Sequence, residues 1–476
     1  MVVMDTDEFR TTGHEVVDML ADYLGSVEQQ PLFPDVEPRR LDELFDEPVP
    51  QESLPADAVL GEIRQKLLPY CTHVNHPGYF GLITPTPTPA GILGDFIASA
   101  LNQNLGDYTI GPSAVAMERR TVRWINDMIG YDERAGGNLT SGGTMANFIG
   151  LKLARDSVSG DAAQHDGVHE QWAVYTSEER HVSVDKAVDA VGVGRRSLRV
   201  LPTDDQFRIR IDALEQVIAD DHAAGVRPLC IVGISGTTNT GALDPLTELR
   251  RIADREGMWL HVDAAYGGGM LLSRKWPGLL DDLAIADSIT IDPHKWFYAP
   301  LDAGAILVRD AARLEASFGL KPPYLTDELD TGGERYQYYV HGFEQSRRFR
   351  GLKVWMSFKR YGARQLGDWI DANIAQARRM WTLVRDHPDF EAAVEPVMSA
   401  ICIRYRAPGL DLDETQLGQL HHEVARQIEA GGRFWIHTTQ LKGRWWFRIN
   451  PVNFRTRPEH MDELLETLSD LCGQPA

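Results

Sequence analysis

The sequence predicts an α/β protein with a mostly parallel central sheet, an amino-terminal helical arm and a small carboxyl-terminal α+β domain. Three observations lead there. Short apolar runs, "WAVYTS", "LCIVGIS", "MWLHVD", "SITID" and "GAILV", alternate with helical stretches between turn residues, as parallel strands buried on both faces do. Before them stands one amphipathic segment. After them the order changes to a long helix, then "SAICIRYR", "FWIHTT" and "GRWWFRIN" with helices between and behind, which suits a separate α+β layer. With 476 residues, 43% of them hydrophobic, the chain has material for more than one ordinary domain.

Each element follows from local pattern. Phe9, Val16, Val17, Met19, Leu20, Tyr23 and Leu24 recur at helical spacing behind a cap at Asp5 or Thr6, which predicts an amphipathic helix. From Pro31 to Pro55 the chain is rich in proline and acid, so the helix is expected to end there and to be tethered at a distance, an arm suited to packing on a partner subunit. The division expected is residues 1–87 as arm and dimerisation segment, 88–362 as the large domain and 363–476 as the small one.

Composition narrows the function. Sixty-nine acidic against 48 basic residues give a net charge of -21, which repels nucleic acid and anionic membrane. Cys71, Cys230, Cys402 and Cys472 form no C-x-x-C pair, which speaks against a disulfide framework and a zinc or other metal site and fits a reducing cytoplasm. The start "MVVMDTDEF" is acidic where a secretory signal is basic, and no apolar run approaches the roughly 18 residues a membrane helix needs.

Four stretches carry candidate chemistry. Lys295 follows the strand "SITID" through "PH", at a carboxyl strand end where open α/β sheets bind ligands; an amine partly desolvated there is suited to Schiff-base chemistry. Read alone, it is better taken as a lysine whose stem packs on Trp296 while its ammonium reaches water. "NLTSGGTMAN" sets Ser141-Gly142-Gly143-Thr144 before a helix, where backbone N–H groups and the helix dipole can hold a phosphate. Asp263 ends the strand in "LHVDAAYGGG", with Ala264 and Ala265 leaving room for a flat ring; a turn or cap aspartate is the plain alternative. His181 in "EERHVSVDKA" offers an imidazole to lie on such a ring. A phosphate turn, a stacking histidine, a carboxylate and a Schiff-base lysine together make up the requirements of pyridoxal phosphate.

With these motifs the sequence resembles the group II pyridoxal-phosphate-dependent decarboxylases of the aromatic L-amino-acid decarboxylase family. The resemblance runs nearly end to end, through "HPGYFG", "LNQNLG", "ERRTVRWINDMIGY", "TSGGTMAN", "SGTTNTGALDP", "WLHVDAAYGG", "DPHKW" and "RRFRGLKVW". It implies a fold-type-I pyridoxal-phosphate enzyme, a cytoplasmic homodimer with shared active sites, that converts an aromatic L-amino acid (tryptophan, tyrosine, DOPA or phenylalanine) to its amine and carbon dioxide. By position, Lys295 is the lysine that holds the cofactor and Asp263 the partner of its ring nitrogen. His181 is the stacking histidine, with Thr238 beside it. Gly143, Thr144, Ala265 and His294 are cofactor contacts. Asp292 stands where some members carry asparagine, and its charge would repel a phosphate.

Residues 320–346 resemble the family's mobile loop, and Tyr324 within it matches the tyrosine proposed to protonate the substrate carbon after carbon dioxide leaves. Val74, Leu82 and Ile83 replace aromatic pocket residues of animal members, and Asn104 and Gly106 replace larger apolar ones, which implies a roomier, more polar pocket that suits indole. Ser346 carries the phenol-type residue of plant relatives and points the other way. Aromatic aldehyde synthesis, decarboxylation of an acidic amino acid, and a non-catalytic cofactor-binding scaffold are the alternatives on the same fold.

Overall fold

The computed structural model describes residues 4–34, 36–160, 162–322 and 334–473. It forms two compact units, one of Met1–Leu82, Arg379–Ala393 and Cys402–Ala476, the other of Ile83–Arg378 and Val394–Ile401.

The second unit carries a seven-stranded sheet of β1 (Gly136–Thr140), β2 (Trp172–Ser177), β3 (Leu198–Leu201), β4 (Arg227–Ile234), β5 (Trp259–Asp263), β6 (Ser288–Ile291) and β7 (Gly304–Val308), in the order β1-β7-β6-β5-β4-β2-β3. Pairings from β3 through β2, β4 and β5 to β6 are parallel, and β7 runs antiparallel to both β6 and β1. This is the mostly parallel sheet expected from the sequence. Every residue of β2, β5, β6 and β7 is buried, which is why these strands read as unbroken apolar runs and not as alternating ones. One covering layer is the helix Gly143–Ser159 with the helix Val182–Ala190: Ile149, Leu153, Val184 and Val188 share a core cluster with Val174, Val232, Ile306 and Val308.

Two strands of this sheet have no strong apolar signal. The first, β1, is "GGNLT", and its glycines are there for want of space: a Cβ on Gly137, at φ +152°, would lie 2.2 Å from the Ile306 carbonyl oxygen, and one on Gly136 would lie 2.8 Å from the Ala311 Cβ. The other, β3, is a short edge strand only partly buried.

In the first unit, a four-stranded sheet is ordered β10-β11-β9-β8, from β8 (Phe390–Ala392), β9 (Ile401–Tyr405), β10 (His437–Leu441) and β11 (Arg444–Ile449). The strand expected at "FWIHTT" begins only at His437, because Trp435 is diverted into an isolated parallel bridge with Tyr79.

The arm also departs from expectation. Asp5 caps the helix Thr6–Ser26, accepting from the N–H groups of Asp7 and Glu8. The helix is not held at a distance: Tyr23 Oη lies 3.2 Å from His73 Nδ1, and Arg455 Nη1 donates to the Leu24 carbonyl at 3.0 Å. Nor is the proline-rich segment a bare tether. Leu32 is fully buried with its N–H on the Gly432 carbonyl at 2.7 Å, and Pro38 opens a helix through Phe45. Proline stops a helix in its interior but is well suited to start one.

All four cysteines are free, and no helix of the described residues is long and apolar enough to cross a membrane.

The helix Glu414–Ala430 in the first unit begins with a reciprocal cap: Asp413 Oδ1 accepts from Gln416 N, and Gln416 Oε1 from Asp413 N, each at 2.9 Å. Asp413→Ala removes one half of it and is expected to cost about 1 kcal/mol, seen as a lower urea midpoint at unchanged slope. Asp413→Ser should restore most of the loss.

Candidate active site

Side chains converge at the carboxyl ends of β1, β2, β4, β5 and β6, around a cleft of about 320 Å³. Ser141 to Met145 follow β1, Glu179 and His181 follow β2, Gly236 and Thr238 follow β4, Asp263 to Tyr266 close β5, and Asp292 to Lys295 follow β6. Gly143, Thr144, His181, Thr238, Asp263, Ala265, His294 and Lys295, the eight positions predicted to touch a cofactor, all line it.

The turn after β6 places the amine. Lys295 N–H donates to the Asp292 carbonyl at 2.8 Å and Tyr298 N–H to the Lys295 carbonyl at 3.1 Å, so the backbone folds back directly after the strand. Lys295 Nζ then stands 3.1 Å from Asp292 Oδ2, and His294 Nε2 is 3.5 Å from the same oxygen. Asp292 was a doubtful phosphate neighbour from sequence; in the structure its Oδ2 meets the lysine and also lies beside Gly143. His294 Nδ1 accepts from Ala303 N–H at 3.0 Å, which puts the hydrogen of a neutral ring on Nε2, toward Asp292. Burial lowers the His294 pKa, while Asp292 pulls it upward.

Asp263 is 7% exposed. Its Oδ1 accepts from Ala265 N–H at 3.0 Å and its Oδ2 from Asn147 Nδ2 at 2.7 Å. Across the cleft, His181 caps the helix Val182–Ala190 through Nδ1, which meets Ser183 N–H at 3.2 Å and Ser183 Oγ at 2.8 Å. Although His181 is exposed at the cleft, desolvation by the walls lowers its pKa; Lys295 acts in the same sense and Asp263 in the opposite one.

The helix Gly143–Ser159 starts at the cleft. Its first intrahelical donors are Met145 and Ala146, both to the Gly142 carbonyl, which leaves the N–H groups of Gly143 and Thr144 in the unpaired first turn. Side chains are kept out of this corner by contact: a Cβ on Gly143 would lie 2.8 Å from Asp292 Oδ2, and one on Gly304 would lie 2.5 Å from the Gly142 backbone.

Not every expected position is here. Ile83, Asn104 and Ser346 lie in the same unit but do not line this cleft. Asn104 uses its Oδ1 on the backbone N–H groups of Gly106 and Arg347, at 3.0 and 2.8 Å. Val74, half-buried, and Leu82, exposed, belong to the other unit. Tyr324 lies outside the described residues. Of its neighbours, Tyr336 stacks on His341 with Arg119 over its ring, and Tyr338 is fully buried beneath Arg347. Burial pushes both phenols well up.

Conversely, Asn147 was overlooked. Its signal was in "GTMAN": it stands four residues after Gly143 and so on the same helix face.

The donor set fits pyridoxal 5′-phosphate. A lysine amine beside a carboxylate, a second carboxylate held by two donors, an imidazole, and the unpaired N–H groups of Gly143 and Thr144 at a helix start answer in turn to its aldehyde, ring nitrogen, ring face and phosphate.

Comparison with known proteins decides the family. Residues 38–406 match the pyridoxal-dependent decarboxylase conserved domain. The chain belongs to that family. This decarboxylase is 30% identical to an aromatic-L-amino-acid decarboxylase of Bacillus atrophaeus, over 99% of this chain and 97% of that one. It is 29% identical to a phenylacetaldehyde synthase of Petunia hybrida, over 94% and 90% of the two chains. The structure of Oryza sativa TDC with PLP and tryptamine superposes with a TM-score of 0.93, at 29% identity and 99% coverage of both chains. The protein is a group II carboxy-lyase, and its cofactor is pyridoxal 5′-phosphate.

Because Gly304 of β7 touches the Gly142 backbone, Gly304→Ala must shift the turn. The expected result is an approximately tenfold weaker cofactor affinity, read by absorbance titration of the apo protein.

Proposed function

We propose that the cleft is the cofactor site and that the enzyme decarboxylates an aromatic L-amino acid to its amine. The observation that carries this reading is the pair of strand ends: Asp263 closing β5 and Lys295 just beyond β6, in one cleft with the start of the helix Gly143–Ser159.

When bound, pyridoxal 5′-phosphate supplies the electron sink that lets the α-carbon release carbon dioxide. The chain's own groups do the rest. Lys295 Nζ would hold the cofactor through its aldehyde, and Asp292 keeps that amine in place. Asp263 would hold the ring nitrogen, His181, Ala265 and Thr238 would contact the ring, and Gly143, Thr144 and His294 would bind the phosphate. Tyr324 delivers a proton to the substrate α-carbon once carbon dioxide has left. Of the three rival tyrosines Tyr336, Tyr338 and Tyr339, the first two are occupied elsewhere, which supports Tyr324 over them for that task.

An aromatic substrate is supported by the relatives and by the cleft: among the described residues lining it there is no arginine to receive a side-chain carboxylate. Val74, Leu82, Ile83, Asn104 and Ser346 remain the proposed substrate-selecting positions. A homodimer with shared sites is supported by uncovered apolar helix faces. Leu93, Phe96, Ile97 and Leu101 form one exposed stripe on the helix Pro89–Leu101, with Phe96 49% and Leu101 54% exposed. Phe9 and Val17 are exposed on the arm helix, which buries no residue of its own. The free thiols support a cytoplasmic setting.

The aldehyde synthase among the relatives makes a second reading concrete. A panel of aromatic and acidic amino acids, with amine, aldehyde and carbon dioxide measured separately, distinguishes the readings. Aromatic amine with stoichiometric carbon dioxide is expected. Tyr324→Phe should lower amine output by about 10²-fold or more and divert flux to aldehyde, ammonia and peroxide in air; amine at the normal rate with no aldehyde would remove Tyr324 from the reaction. Borohydride reduction of the yellow holoenzyme should fix the cofactor to the peptide containing Lys295, and labelling of another lysine would refute its role.

A further inference from the structure

Behind the cleft, a run of buried polar side chains leads to Asp263, and one direction of donation satisfies it: Asn147 Nδ2 donates to Asp263 and Asn147 Oδ1 accepts from Thr290. It starts at Trp259, the first residue of β5, whose indole can only donate. Trp259 Nε1 reaches Ser288 Oγ at 2.8 Å. The serine hydrogen is then available to its other neighbour, His261 Nδ1, also at 2.8 Å; Ser288 and His261 face each other in the β5–β6 register. An imidazole that accepts at Nδ1 carries its hydrogen on Nε2, which lies 2.9 Å from Asn147 Oδ1. Thr290 Oγ1 donates to the same oxygen at 2.7 Å. With Oδ1 receiving two donors, the amide must turn Nδ2 the other way, toward Asp263 Oδ2 at 2.7 Å and Ser183 Oγ at 2.9 Å.

The inner links are closed to solvent, and Trp259 at the outer end is 8% exposed. Asn147 and Ser183 are 1% exposed, and His261, Ser288 and Thr290 are fully buried. Burial also pushes the His261 pKa down to about 4 against the opposing pull of Asp263, so the ring is neutral, as the chain requires. Gly150 permits the approach: a Cβ there would lie 2.4 Å from His261 Cε1.

We propose that Trp259, Ser288, His261 and Asn147 form a one-way hydrogen-bond chain that orients the Asn147 amide and so holds Asp263 as an aligned carboxylate for the cofactor's ring nitrogen. Asn147 is the positioning residue, and the three behind it set its direction. The inference rests on the reading of Asp263 as the ring-nitrogen partner. A reversed amide would set Oδ1 against Asp263 Oδ2, two acceptors at hydrogen-bond distance with no proton between them. In a site this dry such a contact is costly.

The test separates the chain from that reading. Apo enzyme is titrated with pyridoxal phosphate and with its 1-deaza analogue, in which C–H replaces the ring nitrogen, and the ratio of the two dissociation constants is the readout. Wild type should prefer pyridoxal phosphate, and Asp263→Ala should abolish the preference. Asn147→Leu should cut the ratio about tenfold. Ser288→Ala and Trp259→Phe, which act from behind the cleft, should cut it by a smaller factor; they decide the matter if apo Asn147→Leu does not fold. A wild type that binds both compounds equally overturns the reading of Asp263, and the chain with it. If wild type discriminates and Asp263→Ala does not, but Ser288→Ala and Trp259→Phe keep the wild-type ratio, the chain alone is overturned. The same holds if these variants weaken both compounds equally.

Discussion

A buried carboxylate needs donors in place of water, and the cleft is arranged around that constraint at Asp263. The β5 strand delivers it to the sheet's carboxyl edge, the backbone beyond it supplies one donor and the helix Gly143–Ser159 supplies the other through Asn147. The same helix presents its unpaired first turn to the cleft. One element therefore both supports the acid and offers a place for an anion, and its placement depends on the apolar cluster that binds it to β2, β4 and β7.

The second charge centre is balanced locally. Lys295 and Asp292 are three residues apart, and the fold-back after β6 brings amine and carboxylate together without help from another element. Amine and carboxylate thus partner each other inside the cleft, which offsets part of the cost of withdrawing both from water.

Much of this was legible in the sequence, for stated reasons. Strands β2, β4, β5, β6 and β7 are buried on both faces and leave unbroken apolar runs; the chemistry at their ends then stands out as Asp263 and Lys295. What was hidden lacks such a trace. The strand β1 looks like a glycine turn because its neighbours leave no room for side chains. The helix Pro38–Phe45 was masked by prolines that here serve as a start signal. The pairing of Asp292 with Lys295 depends on a backbone reversal, and the role of Asn147 depends on which helix face meets which strand end. Asn104 and Ser346 were placed by family likeness alone, and their side chains face matters of loop geometry or solvent in the unit described.

The direction of the buried chain behind Asp263 has an evolutionary consequence. Because each group gives its hydrogen to the next, a replacement that changes a donor into an acceptor at one link leaves its neighbour with nothing to pair with, and two such replacements made one after the other pass through a damaged intermediate. Trp259, Ser288, His261 and Asn147, spread over two strands and a helix and far apart along the chain, are thereby coupled as a single heritable unit.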